Sequence, residues 1–363
     1  MFFGFLAVFT LLLTFQSCNE DIELTGDFKE TAVIYGLLDQ ADTVHMIKIT
    51  RAFIGPGNAL EIAQIPDSSY FASVEGTVTE YIGGAVGRIF TLADTIVDNK
   101  DPNGTFYAPE QKLYYFKTTT VNPLRGDAEY QLDLVINDGE IKISGRTKMV
   151  DGISNSNISA SNQPYRFVDN NGEFIATSIV MSSVGTSYQM NVKLDIEYTE
   201  WEGTSPTVRH AIWGLGEGPV EPGSSKTFTA NGSTFYSTLA SSCSTNPAVT
   251  RRTLNSITAI ITGAGEDLVN YMLVNEPSSA LAQSKPTYTN LTCSTGNGVV
   301  GIFSSRNTVS IYKAFIDPGG NSNVRCLNKK STEYLCIGSL ISSKLFCSDH
   351  PADIASSEPW VCN

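Results

Sequence analysis

Histidine is almost absent from this chain. His45, His210 and His350 are the only three among 363 residues. Imidazoles this scarce and this far apart exclude a multi-histidine metal centre and leave little scope for histidine-based catalysis. Charge is thin as well. Asp, Glu, Lys and Arg together make up 17% of the chain, against about a quarter in ordinary domains. The 24 basic residues are outnumbered by 37 acidic ones, for a net charge of −13. Phosphate backbones require a positive surface, so nucleic acid is excluded as a partner. The sequence also lacks G-x-S-x-G, H-E-x-x-H, G-x-x-x-x-G-K-[ST] and C-x-x-C, which removes the usual hydrolase, zinc-protease, phosphate-loop and dithiol signatures. Gly83-Gly84 and Gly319-Gly320 have no strand–helix context and read as turns. No cofactor is implied.

Aromatic and turn-forming residues are plentiful, with 18 Phe, 15 Tyr and 30 Gly. That balance favours strands and tight turns. A hydrophobic share of 41% supports a folded protein, and at about 150 residues per domain the length suggests two domains.

The first segment, Met1–Phe15, is almost wholly apolar. It is shorter than the roughly 20 residues of a membrane span and fits the apolar core of a secretory signal. It ends at Ser17-Cys18, a small residue before a cysteine, which resembles a bacterial lipobox. Residues 1–17 are then a signal peptide, Cys18 carries the lipid that anchors the chain, and residues 18–28 form a tether. Phe15 and Gln16 depart from the tightest lipobox pattern. The acidic start of the tether, Asn19-Glu20-Asp21, resembles a surface-export signal.

Setting Cys18 aside leaves Cys243, Cys293, Cys326, Cys336, Cys347 and Cys362. An even number in an oxidising compartment suggests three disulfides, with the pairing left open. The last four are separated by nine, ten and fourteen residues, without the close pair that zinc sites normally show.

Residues 29–150 read as a β-sandwich. Strand patterns fall at Thr31–Leu38, Thr43–Phe53, Val74–Ile82, Arg88–Val97, Leu113–Thr120, Tyr130–Ile136 and Glu140–Met149. A short helix after Asn58 should stop at Pro66. Seven strands in this span suggest an immunoglobulin-like Greek key. Tyr130 opens a strand in the position of a tyrosine corner, whose hydroxyl bonds backbone a few residues upstream.

Asp151-Gly152 marks a domain boundary. Residues 151–316 read as a larger β-rich domain. Tyr188–Thr199 alternates apolar and polar residues over nearly 40 Å. Further strands fit Val208–Leu215, Ser256–Thr262, Val299–Phe303 and Val309–Phe315, and Asn171-Gly172 marks a hairpin turn. Phe235–Ser242 and Glu266–Val274 have helical spacing. Residues 317–363 hold four of the cysteines and read as a disulfide-stapled appendage.

Few residues suggest chemistry. The stretch Asn99–Glu110 has calcium-loop spacing, with oxygen-bearing Asn99, Asp101 and Asn103, then Gly104 and Glu110. Its flanks read as strands, which favours a hairpin connection. Glu200 and Glu202 stand two apart on a strand, a spacing open to a glycosidase pair, but solvated side chains are the commoner use. Trp201, Trp213 and Trp360 could stack on sugars, although core packing is more usual for tryptophan. His45 and His210 lie beside apolar residues and read as packed core positions. His350 falls on a loop. Arg306 follows an apolar strand and reads as half of an ion pair.

The chain from Cys18 onward resembles a family of Bacteroidota surface lipoproteins built from an N-terminal β-sandwich and a larger C-terminal β domain. The segments that carry the resemblance are Glu30–Asp39, Gly263–Asp267, Lys285–Asn290 and Gly298–Arg306. It implies an outer-membrane protein, anchored through Cys18 and partnered with a TonB-dependent transporter. It carries over no catalytic residue. The expectation is an all-β, non-enzymatic surface protein that binds a glycan or other extracellular ligand or assists a transporter. The alternatives are a surface glycan or peptide hydrolase, and a structural envelope or adhesion component.

Overall fold

A computed structural model describes residues 31–52, 59–104, 107–108, 110–156, 163–276, 287–294, 298–321 and 323–362. Cys18, the tether and Asn58 lie outside them. The fold is all-β with several short helices.

Two sheets enclose the first core. β1 (Thr31–Asp39), β2 (Val44–Ala52), β5 (Ala93–Asp98) and β6 (Glu110–Lys117) run in the order β1-β2-β6-β5. β3 (Val74–Ile82), β4 (Ala85–Thr91), β7 (Glu129–Ile136) and β8 (Ile141–Lys148) run β8-β7-β3-β4, and the short β15 (Leu291–Cys293) is added at β8. The two-residue period decides which side chains meet. Tyr130, Leu132, Leu134 and Ile136 of β7 all point inward against Ile34, Ile47 and Phe116 of the facing sheet. Tyr130 makes its corner: the hydroxyl accepts from the Arg125 N–H at 2.8 Å and donates to the Glu80 carboxylate at 2.6 Å.

The single strand expected at Arg88–Val97 is two. The chain crosses from one sheet to the other at Leu92, whose N–H bonds to Gly76 O at 2.9 Å. A side chain on Gly76 would meet Leu92 at 2.7 Å. Near residue 60, α1 (Ala59–Ile62) and α2 (Pro66–Ser69) replace the one expected helix. The first stops at Ile62, and Pro66, lacking an N–H that the first turn leaves idle, opens the second.

The second core lies under β11 (Gln189–Glu202), β12 (Ser205–Pro219), β14 (Arg251–Ala264) and the far half of β16 (Val299–Ala314). It is closed by α3 (Gly232–Ser242) and by a three-stranded sheet ordered β13-β10-β9, from β9 (Ile153–Asn155), β10 (Ala176–Val184) and β13 (Lys226–Asn231). The alternation across Tyr188–Thr199 becomes β11, with Met190, Val192, Leu194, Ile196 and Tyr198 fully buried. The Asn171-Gly172 turn forms: Val168 bridges Phe174, and Gly172 takes a φ of +87°. α4 (Glu266–Asn275) packs outside β16.

β16 is one strand where two were expected. Its first half pairs parallel with β1, from Ala32↔Val299 to Asp39↔Arg306. Its second half pairs antiparallel with β14. This joins the two regions into one eight-stranded sheet, β12-β11-β14-β16-β1-β2-β6-β5. The boundary at Asp151 therefore separates two cores but not two sheets.

The C-terminal segment corrects two expectations. It is part of the second core, to which it contributes Cys326, Leu327, Leu335, Ile341 and Phe346. It includes α5 (Lys329–Ile337) and α6 (Pro351–Ala355). Of the six cysteines expected to form three disulfides, the described residues contain one bond, Cys347–Cys362. Cys243, Cys326 and Cys336 are buried thiols. Burial pushes the thiols of Cys326 and Cys336 up to about 12, so they serve as small apolar side chains. Cys293 packs instead against the first core. The cysteines are thus divided between two cores and do not form one covalent net.

Candidate functional site

A cleft of about 670 Å³ opens where the two cores meet. One wall is the turn Gly126–Ala128 with the start of β7 and the end of β8. The other is Thr186, Tyr188, Pro222 and the first residues of α4. Glycines let these walls approach. Gly185 has a φ of +62°, and a side chain there would fall 1.8 Å from Asp151 O. The junction is then stitched: Thr186 N–H donates to Asp151 O at 2.9 Å, and the Asp151 N–H donates to Thr186 Oγ1 at 3.0 Å.

The cleft carries charge of both signs. Arg146 Nη2 pairs with Glu129 Oε2 at 2.7 Å, and its guanidinium lies 4.5 Å from the centre of the Tyr81 ring. Lys148 Nζ is 4.0 Å from Glu129 Oε1. Asp127 pairs with Arg125 at 2.7 Å, and this hydrogen bond holds its carboxyl below the usual range. Tyr288 donates to Asp267 Oδ1 at 2.5 Å. Burial, helped by that carboxylate, raises the Tyr288 phenol to about 12. Glu266 raises the phenol of Tyr188, whose ring stands partly exposed at the rim. The arrangement offers donors, acceptors and an aromatic edge to a polar ligand. No motif announced it, although Gly265, Glu266 and Asp267 fall in one of the segments that carried the resemblance.

The residues singled out in the sequence lie elsewhere. Glu200 was read as solvated, yet it is buried and accepts from Ser244 N–H, Arg252 Nη2 at 2.7 Å and Arg209 Nε at 3.1 Å. Glu202 is exposed and accepts from Asn246 at 2.7 Å. The two carboxylates therefore occupy different environments. Trp213 and Trp360 are packed inside. Trp201 is half-buried, with Arg251 stacked on its ring and its indole N–H on Thr253. Arg306 pairs with buried Asp39 at 2.9 Å, and Thr308 adds two more donors to that carboxylate. Asn99–Glu110 joins antiparallel β5 to β6, a hairpin connection with strands on both flanks.

Two histidines match their readings in part and one does not. His45 is buried, stacked on Phe116 and bonded to Thr118 Oγ1 at 3.0 Å. His350 is also buried. It caps α6, its Nδ1 accepting from Ala352 N–H. His210 was expected in the core but is exposed, with Nδ1 2.9 Å from Asp195. It sits on the edge strand β12, whose polar face is not covered.

One grouping in the C-terminal segment brings together the residue types of a hydrolase. Ser348, His350 and Asp353 are each 1% exposed. The Ser348 hydroxyl donates to Asp353 at 2.6 Å, and Asp353 also takes two hydrogen bonds from Arg325. The histidine nitrogens bond Ala352 N–H and Val324 O. The serine is thus tied to the acid and not to a base, the reverse of a nucleophile arrangement.

Asp42 and Asp349 have carboxyls raised by burial. Neither lines the cleft. Taken together, fold and cleft define an all-β protein with two cores on one shared sheet and a cleft of mixed polarity at their junction. No protein-family model matches the chain, and no curated protein matches it.

Proposed function

We propose that this is a non-enzymatic binding protein of the outer-membrane surface, anchored through lipid on Cys18, that takes a hydroxyl-rich ligand such as a glycan in the junction cleft. The observation that carries the reading is the cleft's mixture of charges of both signs. Arg146 and Lys148 share the Glu129 carboxylate, which leaves spare donor and acceptor sites. Tyr188 supplies an apolar edge for a sugar ring. Neutral polyols need that combination, whereas a hydrolase would need a carboxyl raised inside the cleft. The strand orders β1-β2-β6-β5 and β8-β7-β3-β4, with Tyr130 at the start of β7, support an immunoglobulin-like reading of the first half. A role beside a TonB-dependent transporter follows only from the family resemblance.

The test is calorimetric titration with a panel of neutral and acidic oligosaccharides. Binding by the parent should weaken about tenfold, roughly 1.4 kcal/mol, in Tyr188→Ala and in Arg146→Ala. Turnover of any bound glycan would favour the hydrolase alternative. A chain that binds no member of the panel would remove the glycan reading. Membrane fractionation of Cys18→Ala tests the anchor separately, and unchanged partition would remove it.

A further inference from the structure

We propose that the open face of the eight-stranded sheet around Tyr35 and Met46 docks on the surface of a lipid bilayer. The inward face of β1, β2 and β6 fills the first core with Ile34, Ile47 and Phe116. Several outward residues are apolar too, which is unusual for a face left to water. Tyr35 is 40% exposed, Val44 38%, Met46 41% and Val300 37%. The register makes them one patch. Val300 pairs with Val33, two residues before Tyr35 on β1, and Met46 pairs with Tyr115 of β6. α4 touches the patch at Tyr35, where the Tyr271 and Tyr35 hydroxyls meet at 2.9 Å.

Two lysines lie on this face, with Asp42 as an exposed carboxylate at its edge. Lys48 pairs with Tyr35, and Lys117 pairs with Val44 and lies 5.4 Å from the Tyr115 ring centre. The carboxylate at the end of β1, Asp39, is buried and ion-paired with Arg306. A patch of tyrosine, valine and methionine rimmed by lysine, on a protein of net charge −13, is complementary to an anionic interface. Apolar side chains enter the headgroup region, and lysines near the surface are attracted to anionic headgroups.

The chain outside the described residues favours the same occupant. From Cys18 to Thr31 it can reach at most about 45 Å. Thr31 begins β1, the strand that carries Tyr35. A lipid on Cys18 would therefore hold this face within reach of the bilayer. The length argument rests on the anchor reading, whereas the face itself does not.

The experiment separates the two. A chain from residue 18 carrying Cys18→Ser contains every described residue and cannot be acylated there. It is sedimented with vesicles of phosphatidylcholine alone and of equal parts phosphatidylcholine and phosphatidylglycerol. The parent should sediment with the mixed vesicles and far less with the neutral ones. Lys117→Glu, at an exposed site, should weaken partition about tenfold or more, because two units of charge change at the surface. Met46→Glu should weaken it on both vesicle types, with near-ultraviolet circular dichroism unchanged. A parent that stays in the supernatant with mixed vesicles overturns the proposal. So do variants that partition like the parent. If Met46→Glu instead converts an oligomer to a monomer in ultracentrifugation, the face belongs to a second copy of the chain. The anchor reading is judged independently, by the mass of the N-terminal peptide from membranes.

Discussion

Glu200 lies near the start of a chain of buried polar contacts that fastens the C-terminal segment to the sheet. Burial by itself would push its carboxyl up. Hydrogen bonds from Ser244, Arg252 and Arg209 outweigh that and bring it down to about 2. Arg252 then reaches Lys344 O at 2.7 Å. Glu200→Gln leaves the Arg252 guanidinium buried without its counter-charge and should cost about 3 kcal/mol in urea unfolding. The folded carboxyl is depressed, so its contribution is complete above pH 4.5 and fades as pH falls towards 2. The variant should therefore show a flatter acid limb, and an unchanged limb would contradict this role. His45 acts in a different window. Burial lowers its imidazole from 6.5 to about 4. The unfolded chain binds the extra proton between those values, so stability should decline as pH drops from 6.5 to 4. His45→Gln should remove that part of the decline in a urea-midpoint series. His45 was read from the sequence as a packed position, but the role of Glu200 was not legible there. Glu200 meets Ser244 and Arg252 across 44 and 52 residues of chain, and Glu200-Trp201-Glu202 reads like any exposed strand end.

Most strands were legible because burial on one face imposes an alternation that the sequence displays. β7 and β11 are the clearest cases, and the helices α3 and α4 fell where their spacing placed them. β16 was not legible, for a specific reason. Its middle, Ser304-Ser305-Arg306-Asn307-Thr308, looks like a polar break between two short strands. In the fold Ser304 and Ser305 are fully buried, and Arg306 and Thr308 converge on Asp39 of β1. A polar run inside a strand is intelligible only when its partner from the other end of the chain is known. The same element contains its tightest contact at Gly301. There φ is +102°, and a side chain would lie 1.9 Å from Ile34 O. Gly301→Ala therefore combines backbone strain with a clash against a strand that cannot retreat. It should cost about 3 kcal/mol, read as a fall in thermal or urea midpoint. A neutral result would mean that β1 and β16 are less closely joined than described.

For the molecule as a whole, the sequence suggested a division near Asp151 but not that one sheet runs across both halves. Composition marks where one core ends. It does not show that Leu291 and Phe303, from the second half, help to fill the first core. Nor did it show the cleft, which is built from turns brought together by that joint. A fragment of residues 29–150 should accordingly lack part of its core and the parallel partner of β1. We expect it to be poorly dispersed in proton NMR and to aggregate, whereas a folded, soluble fragment would show that the first core is self-sufficient. The central position of β1 has a mechanical consequence. It is hydrogen-bonded to β2 on one side and to β16 on the other. A pull entering at Thr31 along the strand runs parallel to both ladders, so they are loaded in shear and must rupture together, not unzip one bond at a time. A tether at this end of the chain would transmit force into the strongest direction of the sheet.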